Sequence, residues 1–354
     1  MRHIKLFDSL RGLMALWVVI IHTIQSVDIY LPKSINKIVN VSYAVDIFII
    51  LSGFVIFLLL DKSKANYSAF IVRRGFRLFP VYLAVLFVSA YTIDGQIVLW
   101  GQLGSTGDYW AGRLQTMLDS SAYFIENFTA HLFLLQGFFG GYIPSSDFAF
   151  IEPAWSLSLE WQFYLIAPLI FSLIFQKKNF LLLIAISFGI ASLYGQAGSG
   201  FLPDNIHFFI VGIVSYYIYK FSFEQPDTHL AILMLCISLL LRDIPLVLWS
   251  VFLCLAIYQT KPIIFIRSLL ENSLFQYIGK ISYPIYVVHT LVIYPVIILL
   301  AMSPFTLSSL TGKLILISLT FVLTIFISHV LHIVIEKPGM DIGKVLSNKL
   351  RKEQ

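Results

Sequence analysis

The feature that most constrains this chain is a recurrence of long apolar runs. An α-helix rising ~1.5 Å per residue needs about 20 such residues to cross the hydrocarbon of a bilayer. Runs of that kind fall near 9–29, 41–60, 78–98, 153–175, 179–197, 205–221, 229–242, 245–260, 275–301 and 313–335. They predict an all-α, polytopic membrane protein with about ten transmembrane helices. The domain expectation is an integral membrane domain over 1–340 and a short basic cytoplasmic tail over 341–354. Composition agrees: 58% of the 354 residues are hydrophobic and 12% charged, with a mean hydropathy of +0.85, against roughly 25% charged in soluble domains. So much apolar surface needs lipid as part of its solvent.

Charge sets an expected orientation. Arg2 and Lys5 precede the first run, and Lys62, Lys64, Arg73, Arg74 and Arg77 lie between the second and third. Lys177 and Lys178 follow the fourth, Lys261 and Arg267 follow the eighth, and Lys337, Lys344, Lys349, Arg351 and Lys352 close the chain. With ten spans these clusters share one face, which the excess of Lys and Arg in cytoplasmic loops makes the inner one. Both termini are then cytoplasmic, with Lys33 and Lys37 as exceptions. The segment 99–152 falls outside. It holds Asp108, Asp119, Glu126 and Asp147 against Arg113, and its apolar piece 131–139, too short to span, reads as re-entrant or interfacial. The first run reads as a retained helix rather than a cleaved signal.

The net charge of +5 calls for no nucleic-acid partner. Cys236 and Cys254 both lie in apolar runs, against a disulfide framework or a redox pair. Zinc-protease, nucleotide-binding and nucleophile-elbow motifs are absent from the sequence, which removes those chemistries.

Four stretches carry groups that could do chemistry. In the first run Arg11 and His22 are eleven residues apart, so on a helix they share one stripe, about 16 Å apart along the axis. An ionisable group deep in a membrane faces a cavity or a partner and defaults to a functional reading; the bland alternative leaves His22 near the outer interface, bonded to a carbonyl. Arg74 and Arg77 share a helical face beside Arg73, and paired guanidinium forks suit phosphate. Taken alone, ordinary anchoring at the membrane edge or contact with anionic lipid is the stronger explanation of them. Ser156 and Glu160 are i, i+4 neighbours at the start of the fourth run, where Glu160 can orient a histidine or serve as a structural acceptor. Asp46 belongs to the same open class. His289 lies in the ninth run and could line the same cavity, while His329 and His332 near the end read as interfacial.

In this order the stretches resemble the acyltransferase-3 family of membrane acyltransferases. The opening Asp-x-Leu-Arg-Gly and the arginine–ten residues–histidine spacing are matched by Asp8, Leu10, Arg11, Gly12 and His22. Phe48, Ser52, Gly53 and Phe54 match a Phe-x-x-Ser-Gly-Phe pattern with one extra residue, and Arg74, Arg77 and Pro80 match Arg-x-x-Arg-x-x-Pro. Trp155, Ser156, Leu157, Ser158, Glu160, Gln162, Phe163 and Tyr164 match a fourth pattern, with Trp161 where the family often has a second acidic residue. Gly279, Ser282, Tyr283, Tyr286 and His289 match a fifth, with Pro284 in place of a serine.

The resemblance implies an enzyme of the bacterial inner membrane that takes an acyl group, most often acetyl from acetyl-CoA, to a hydroxyl of a carbohydrate such as O-antigen or exopolysaccharide. Arg73, Arg74 and Arg77 would then hold CoA phosphates, and Arg11 would line the entry path. His22 would act as general base with Glu160 as its orienting partner, and Asp46, Ser156 and His289 would face substrate. The implied partners are a carbohydrate acceptor, which could be lipid-linked, and membrane lipids. The competing class is a transporter or flippase using Arg11, His22, Glu160 and His289 as a proton or substrate path. A structural scaffold fits poorly with so many intramembrane ionisable groups.

Overall fold

The structure, a computed structural model, describes residues 4–26, 40–63, 66–103, 108–176, 198–225, 229–303 and 309–352. Among these residues all regular structure is helical. Among the described residues six helices are long and apolar enough to cross a membrane, or up to eight if each of two bent pairs counts as one span. The protein is therefore all-α and polytopic. The expected run 179–197, and Arg2, Lys33, Lys37, Lys64, Lys177 and Lys178, lie outside the described residues.

Most apolar runs became helices within a few residues of their expected ends. These are the first two, α1 (Lys5–Ser26) and α2 (Val41–Ser63), and the fourth, sixth, seventh, eighth and tenth, whose helices are given below. The third run differs. Its helix, α3 (Tyr67–Tyr91), begins eleven residues before the expected start at 78 and takes in Arg73, Arg74 and Arg77. Asn66 starts it, its side-chain oxygen accepting from the Ala69 amide at 2.9 Å, which satisfies a helix-end donor irrespective of hydropathy. After Tyr91 the chain bends by 65° into α4 (Ile93–Leu103).

The expected external segment is helical as well: α5 (Asp108–Ala122), α6 (Phe124–Leu132) and the single turn α7 (Gln136–Phe139). The fourth run forms α8 (Ala154–Gln176). Then come α9 (Leu202–Glu224), α10 (Leu230–Leu241), α11 (Ile244–Ile257) and α12 (Lys261–Leu270). The 12 residues of α10 extend about 18 Å, short of a full crossing. The expected ninth run is two helices, α13 (Ser273–Lys280) and α14 (Ser282–Ala301), separated at Ile281. The tenth is α15 (Leu310–Leu331), which continues through a π turn, His332–Glu336, into α16 (Lys337–Lys352).

These elements divide into two units. The first comprises Met1–Ile21, Tyr30–Lys62 and His207–Ile285. Its core is aromatic: Phe7 stacks on Trp249 at 5.6 Å, and Phe54 meets both rings edge-on at 4.8 and 5.9 Å. Close helix approach depends on glycine. A Cβ on Gly12 would stand 2.8 Å from the Gly279 backbone nitrogen, and one on Gly53 would stand 2.5 Å from the Phe209 carbonyl oxygen. Ser9 donates to the Leu270 carbonyl at 2.7 Å and accepts from the Gln276 amide at 2.6 Å, tying α1 to α12 and α13.

The second unit comprises His22–Ile29, Ser63–Ile206 and Tyr286–Gln354. The basic C-terminal segment is a helix laid along α3, with Gly339 against Pro80, Gly343 against Phe76, and the Asn66 amide donating to the Leu350 carbonyl at 3.3 Å. His332, expected to be interfacial, is buried. Its Nδ1 lies 2.7 Å from a carboxylate oxygen of Glu336. Ahead of α8 the chain takes the left-handed conformation at Leu134, Ser145 and Phe150, each with φ of 55°. Polar side chains hold this region in place of regular structure. Ser158 donates to the Leu134 carbonyl at 2.9 Å and accepts from the Gly137 amide at 3.2 Å, while Ser89 donates to the Phe150 carbonyl at 2.5 Å.

Candidate functional site

The last turn of α1 carries His22 into the second unit, where its ring meets His289 of α14. His22 Nδ1 and His289 Nε2 are 2.9 Å apart, and the two residues are 8% and 0% exposed. His289 Nδ1 in turn lies 2.9 Å from the backbone carbonyl of Tyr286. The Tyr286 hydroxyl is 2.7 Å from Ser156 Oγ, and both hydroxyls are 3.2 Å from the Pro153 carbonyl at the start of α8. Three candidates from separate runs, His22, Ser156 and His289, are thereby joined through Tyr286. Glu160, expected as the orienting partner of His22, is hydrogen-bonded by Tyr164, while His22 Nδ1 faces an imidazole.

Two charged residues that the sequence reading did not single out lie beside this group. Arg113 on α5 and Glu152, immediately before the Pro153-Ala154-Trp155-Ser156 stretch, approach to 3.4 Å, and both act electrostatically on His22 with opposite sign. The Arg113 side chain is only 8% exposed, so its charge is held by the Glu152 carboxylate rather than by water. The Tyr109 hydroxyl bonds to Glu152, and burial followed by that carboxylate pushes it well above the ordinary phenol range. The available signal was that Arg113 is the lone basic residue of an acidic segment.

Arg74 builds a second cluster on α3. Its guanidinium stands over the rings of Phe70 and Tyr164 at 5.9 and 5.6 Å. The Tyr164 hydroxyl hydrogen-bonds both Arg74 and Glu160, and Glu160 and Arg77 also act on Arg74 electrostatically. Glu160 is thus one helical turn before Tyr164 on α8 and serves the arginine pair. Arg74 and Arg77 are half-buried whereas Arg73 is exposed, so the basic cluster divides into an inward pair and an outward residue. Phe79 meets Trp161 edge-on at 5.0 Å, which gives Trp161 a packing role at the position where an acidic residue was the alternative.

Arg11 and Asp46 belong to the first unit. Arg11 contacts Asp8 at 3.8 Å along α1. Asp46, half-buried on α2, lies within electrostatic reach of Asp243, the N-cap of α11. What the geometry of the second unit offers chemically is a buried imidazole pair on one hand and, on the other, a guanidinium pair of which Arg74 is stacked on aromatic rings. The first suits proton transfer near neutral pH and the second suits a phosphorylated ligand.

The acyltransferase domain family matches this chain over residues 4–332. An uncharacterized protein of Haemophilus influenzae (strain ATCC 51907 / DSM 11121 / KW20 / Rd) is 27% identical over 167 residues, covering 43% of this chain and 62% of that relative. The match therefore spans less than two thirds of the relative's length. No solved structure matches.

Proposed function

The chain belongs to the acyltransferase-3 family of membrane acyltransferases, and on that premise we propose that it moves an acetyl group from acetyl-CoA to a hydroxyl of a cell-surface carbohydrate such as O-antigen or exopolysaccharide. Its home on this reading is the bacterial inner membrane, with both termini and the arginine cluster on the cytoplasmic face. The observation that carries the reading is His22, buried and hydrogen-bonded to His289 directly after the apolar stretch Leu13–Ile21 of α1. An imidazole placed there without a proton-transfer task would be an expensive choice for a membrane span.

His22 would take the proton of the acceptor hydroxyl as its oxygen bonds to the acyl carbon. The carbon–sulfur bond then breaks, and His22 returns the proton to the departing thiolate, so that ester and thiol are the only products. Arg74 and Arg77 would hold the phosphates of the donor, because planar guanidinium forks match phosphate oxygens. The stacking of Arg74 on Phe70 and Tyr164 keeps its fork in one orientation before a ligand arrives. Arg73, exposed, would add charge at the same mouth without a fixed geometry.

The test compares surface polysaccharide purified from wild-type, deletion and His22→Ala cells, by proton NMR for O-acetyl signals before and after mild alkali. Loss of one base-labile acetyl resonance in both mutants is the expected result. An unchanged spectrum in the deletion strain removes surface carbohydrate as the acceptor, and absence of any acetyl-CoA turnover by the purified protein would favour a carrier over an enzyme.

A further inference from the structure

We propose that His289 is a positioning residue that sets the tautomer of His22, placing the proton of that imidazole on Nδ1 and its lone pair on Nε2. The proposal rests on His22 being the base.

The assignment starts from the one atom whose role is not adjustable. The Tyr286 carbonyl can only accept, so His289 Nδ1, 2.9 Å away, must carry a hydrogen. A neutral imidazole has a single N–H, which leaves Nε2 of His289 as an acceptor. His22 Nδ1 stands 2.9 Å from that atom and therefore donates to it. A neutral His22 that donates through Nδ1 has its lone pair on Nε2.

Neutrality of both rings follows from their surroundings. They are 0% and 8% exposed, and an uncompensated charge there would lack solvation. The charged groups that act on His22 are Glu152 and Arg113, which are paired with each other and act on the ring with opposite sign, while burial is the larger influence. The groups anchoring Tyr286 are the hydroxyl of Ser156 and the carbonyl of Pro153, both uncharged. The Tyr286 residue is thus pinned at its hydroxyl by α8 while its carbonyl, one turn before His289 on α14, holds that ring. Two successive hydrogen bonds transmit this fixed carbonyl to the reactive nitrogen.

The arrangement also anticipates the charge that develops. When His22 Nε2 takes the acceptor proton, the imidazolium keeps its Nδ1 hydrogen directed at His289 Nε2, and that bond becomes charge-assisted without movement of either ring. In a serine-protease triad a carboxylate performs this service, and the wrong tautomer there lowers turnover greatly. Here a second imidazole, itself backed by a carbonyl, stands in that place.

The experiment uses membranes from cells carrying each full-length variant, supplied with radiolabelled acetyl-CoA, and reads incorporation into their own base-labile surface carbohydrate. His289→Leu removes the acceptor, and the maximal rate should fall about 10- to 100-fold with the KM for acetyl-CoA unchanged. His289→Gln offers an amide oxygen to His22 Nδ1 and should restore the rate to within about threefold of wild type. A His289→Leu rate equal to wild type overturns the proposal, as does a Gln variant of normal abundance that is no better than Leu. Nitrogen-15 spectra of the ring-labelled protein, with His22 identified by its loss in His22→Ala, give a reading independent of turnover. Protonated Nδ1 and bare Nε2 are expected, and protonated Nε2 overturns the assignment. A fully active His22→Ala variant would instead sink the base itself, and the relay with it.

Discussion

The Tyr82 hydroxyl stands 2.7 Å from Nδ1 of His131, and Nε2 of the same ring is 3.0 Å from the Ser146 carbonyl. The carbonyl must accept, so Nε2 carries the hydrogen and Nδ1 receives the one from Tyr82; both nitrogens of the neutral ring are committed. Burial, offset in part by the Ser146 bond, brings His131 down to about 4. Between pH 6.5 and 4 the unfolded chain therefore binds a proton that the folded one does not. Stability from this site is complete above 6.5 and is lost as pH falls through that window, by about 2 kcal/mol at pH 5.

Asp147, in the same segment between α6 and α8, has the opposite sign. Burial raises its carboxyl to about 6, against hydrogen bonds from the Gly200 and Ser199 amides that act the other way. The folded protein holds a proton there that the unfolded chain has released, so this site gains stability as pH falls from 6 toward 4. Thermal unfolding in detergent at pH 7 and 5 should show the two effects largely offsetting in the wild type. His131→Gln should become more stable on acidification, and Asp147→Asn less stable. Identical pH responses in all three proteins would contradict both assignments.

The Arg113–Glu152 pair predicts strong non-additivity. Removing one partner leaves a charge buried without compensation, about 3 kcal/mol or more, whereas removing both leaves none. Arg113→Met and Glu152→Gln should each lower the melting temperature more than the double variant does. Simple additivity in that double-mutant cycle would mean the pair is solvated.

The split between Arg73 and Arg74 should appear in kinetics. Arg74→Lys loses the stacked planar fork and should raise the KM for acetyl-CoA about tenfold, or ~1.4 kcal/mol, with less effect on maximal rate. Arg73→Lys keeps an exposed positive charge and should leave both constants near wild type. Equal effects at the two positions would argue against an oriented guanidinium.

Glycine positions give a packing test. A methyl group at Gly12 would meet the Gly279 backbone, which cannot turn aside as a side chain can, so Gly12→Ala should destabilise by about 1–3 kcal/mol. Gly112, within α5, has no atom within 4 Å of such a methyl, and Gly112→Ala should be neutral or stabilising by up to ~1 kcal/mol. Detergent melting temperatures of the two variants decide the matter.

Hydropathy located α8 almost to the residue, 153–175 expected against Ala154–Gln176, because its apolar run coincides with its hydrogen-bonded length. It misplaced the start of α3, because Arg73, Arg74 and Arg77 dilute the apolar signal while the backbone ladder continues undisturbed from the Asn66 cap. The cap itself was readable: an asparagine directly before the helix is an ordinary start signal. It also joined α13 and α14 into one run, since a break at Ile281 changes no side-chain polarity.

The candidate site was legible by residue type and illegible by partner. His22, Ser156, Glu160 and His289 could be picked out because an ionisable or polar group inside an apolar stretch is conspicuous in one dimension. That His22 pairs with His289 from 267 positions away, and Glu160 with Tyr164 and Arg74, depends on helix packing. The motif glycines Gly12, Gly53 and Gly279 read as signatures, and only the structure shows them as places where backbones nearly touch.

What the sequence determined alone is the solvent and the element type: runs of that length and polarity are stable only as helices in lipid, since each segment must satisfy its own backbone hydrogen bonds. What the tertiary structure decided is which polar groups share a bond. That choice is made by close packing between segments distant along the chain, where a shift of about 1 Å makes or loses a hydrogen bond while leaving each segment's own hydrophobic pattern unchanged.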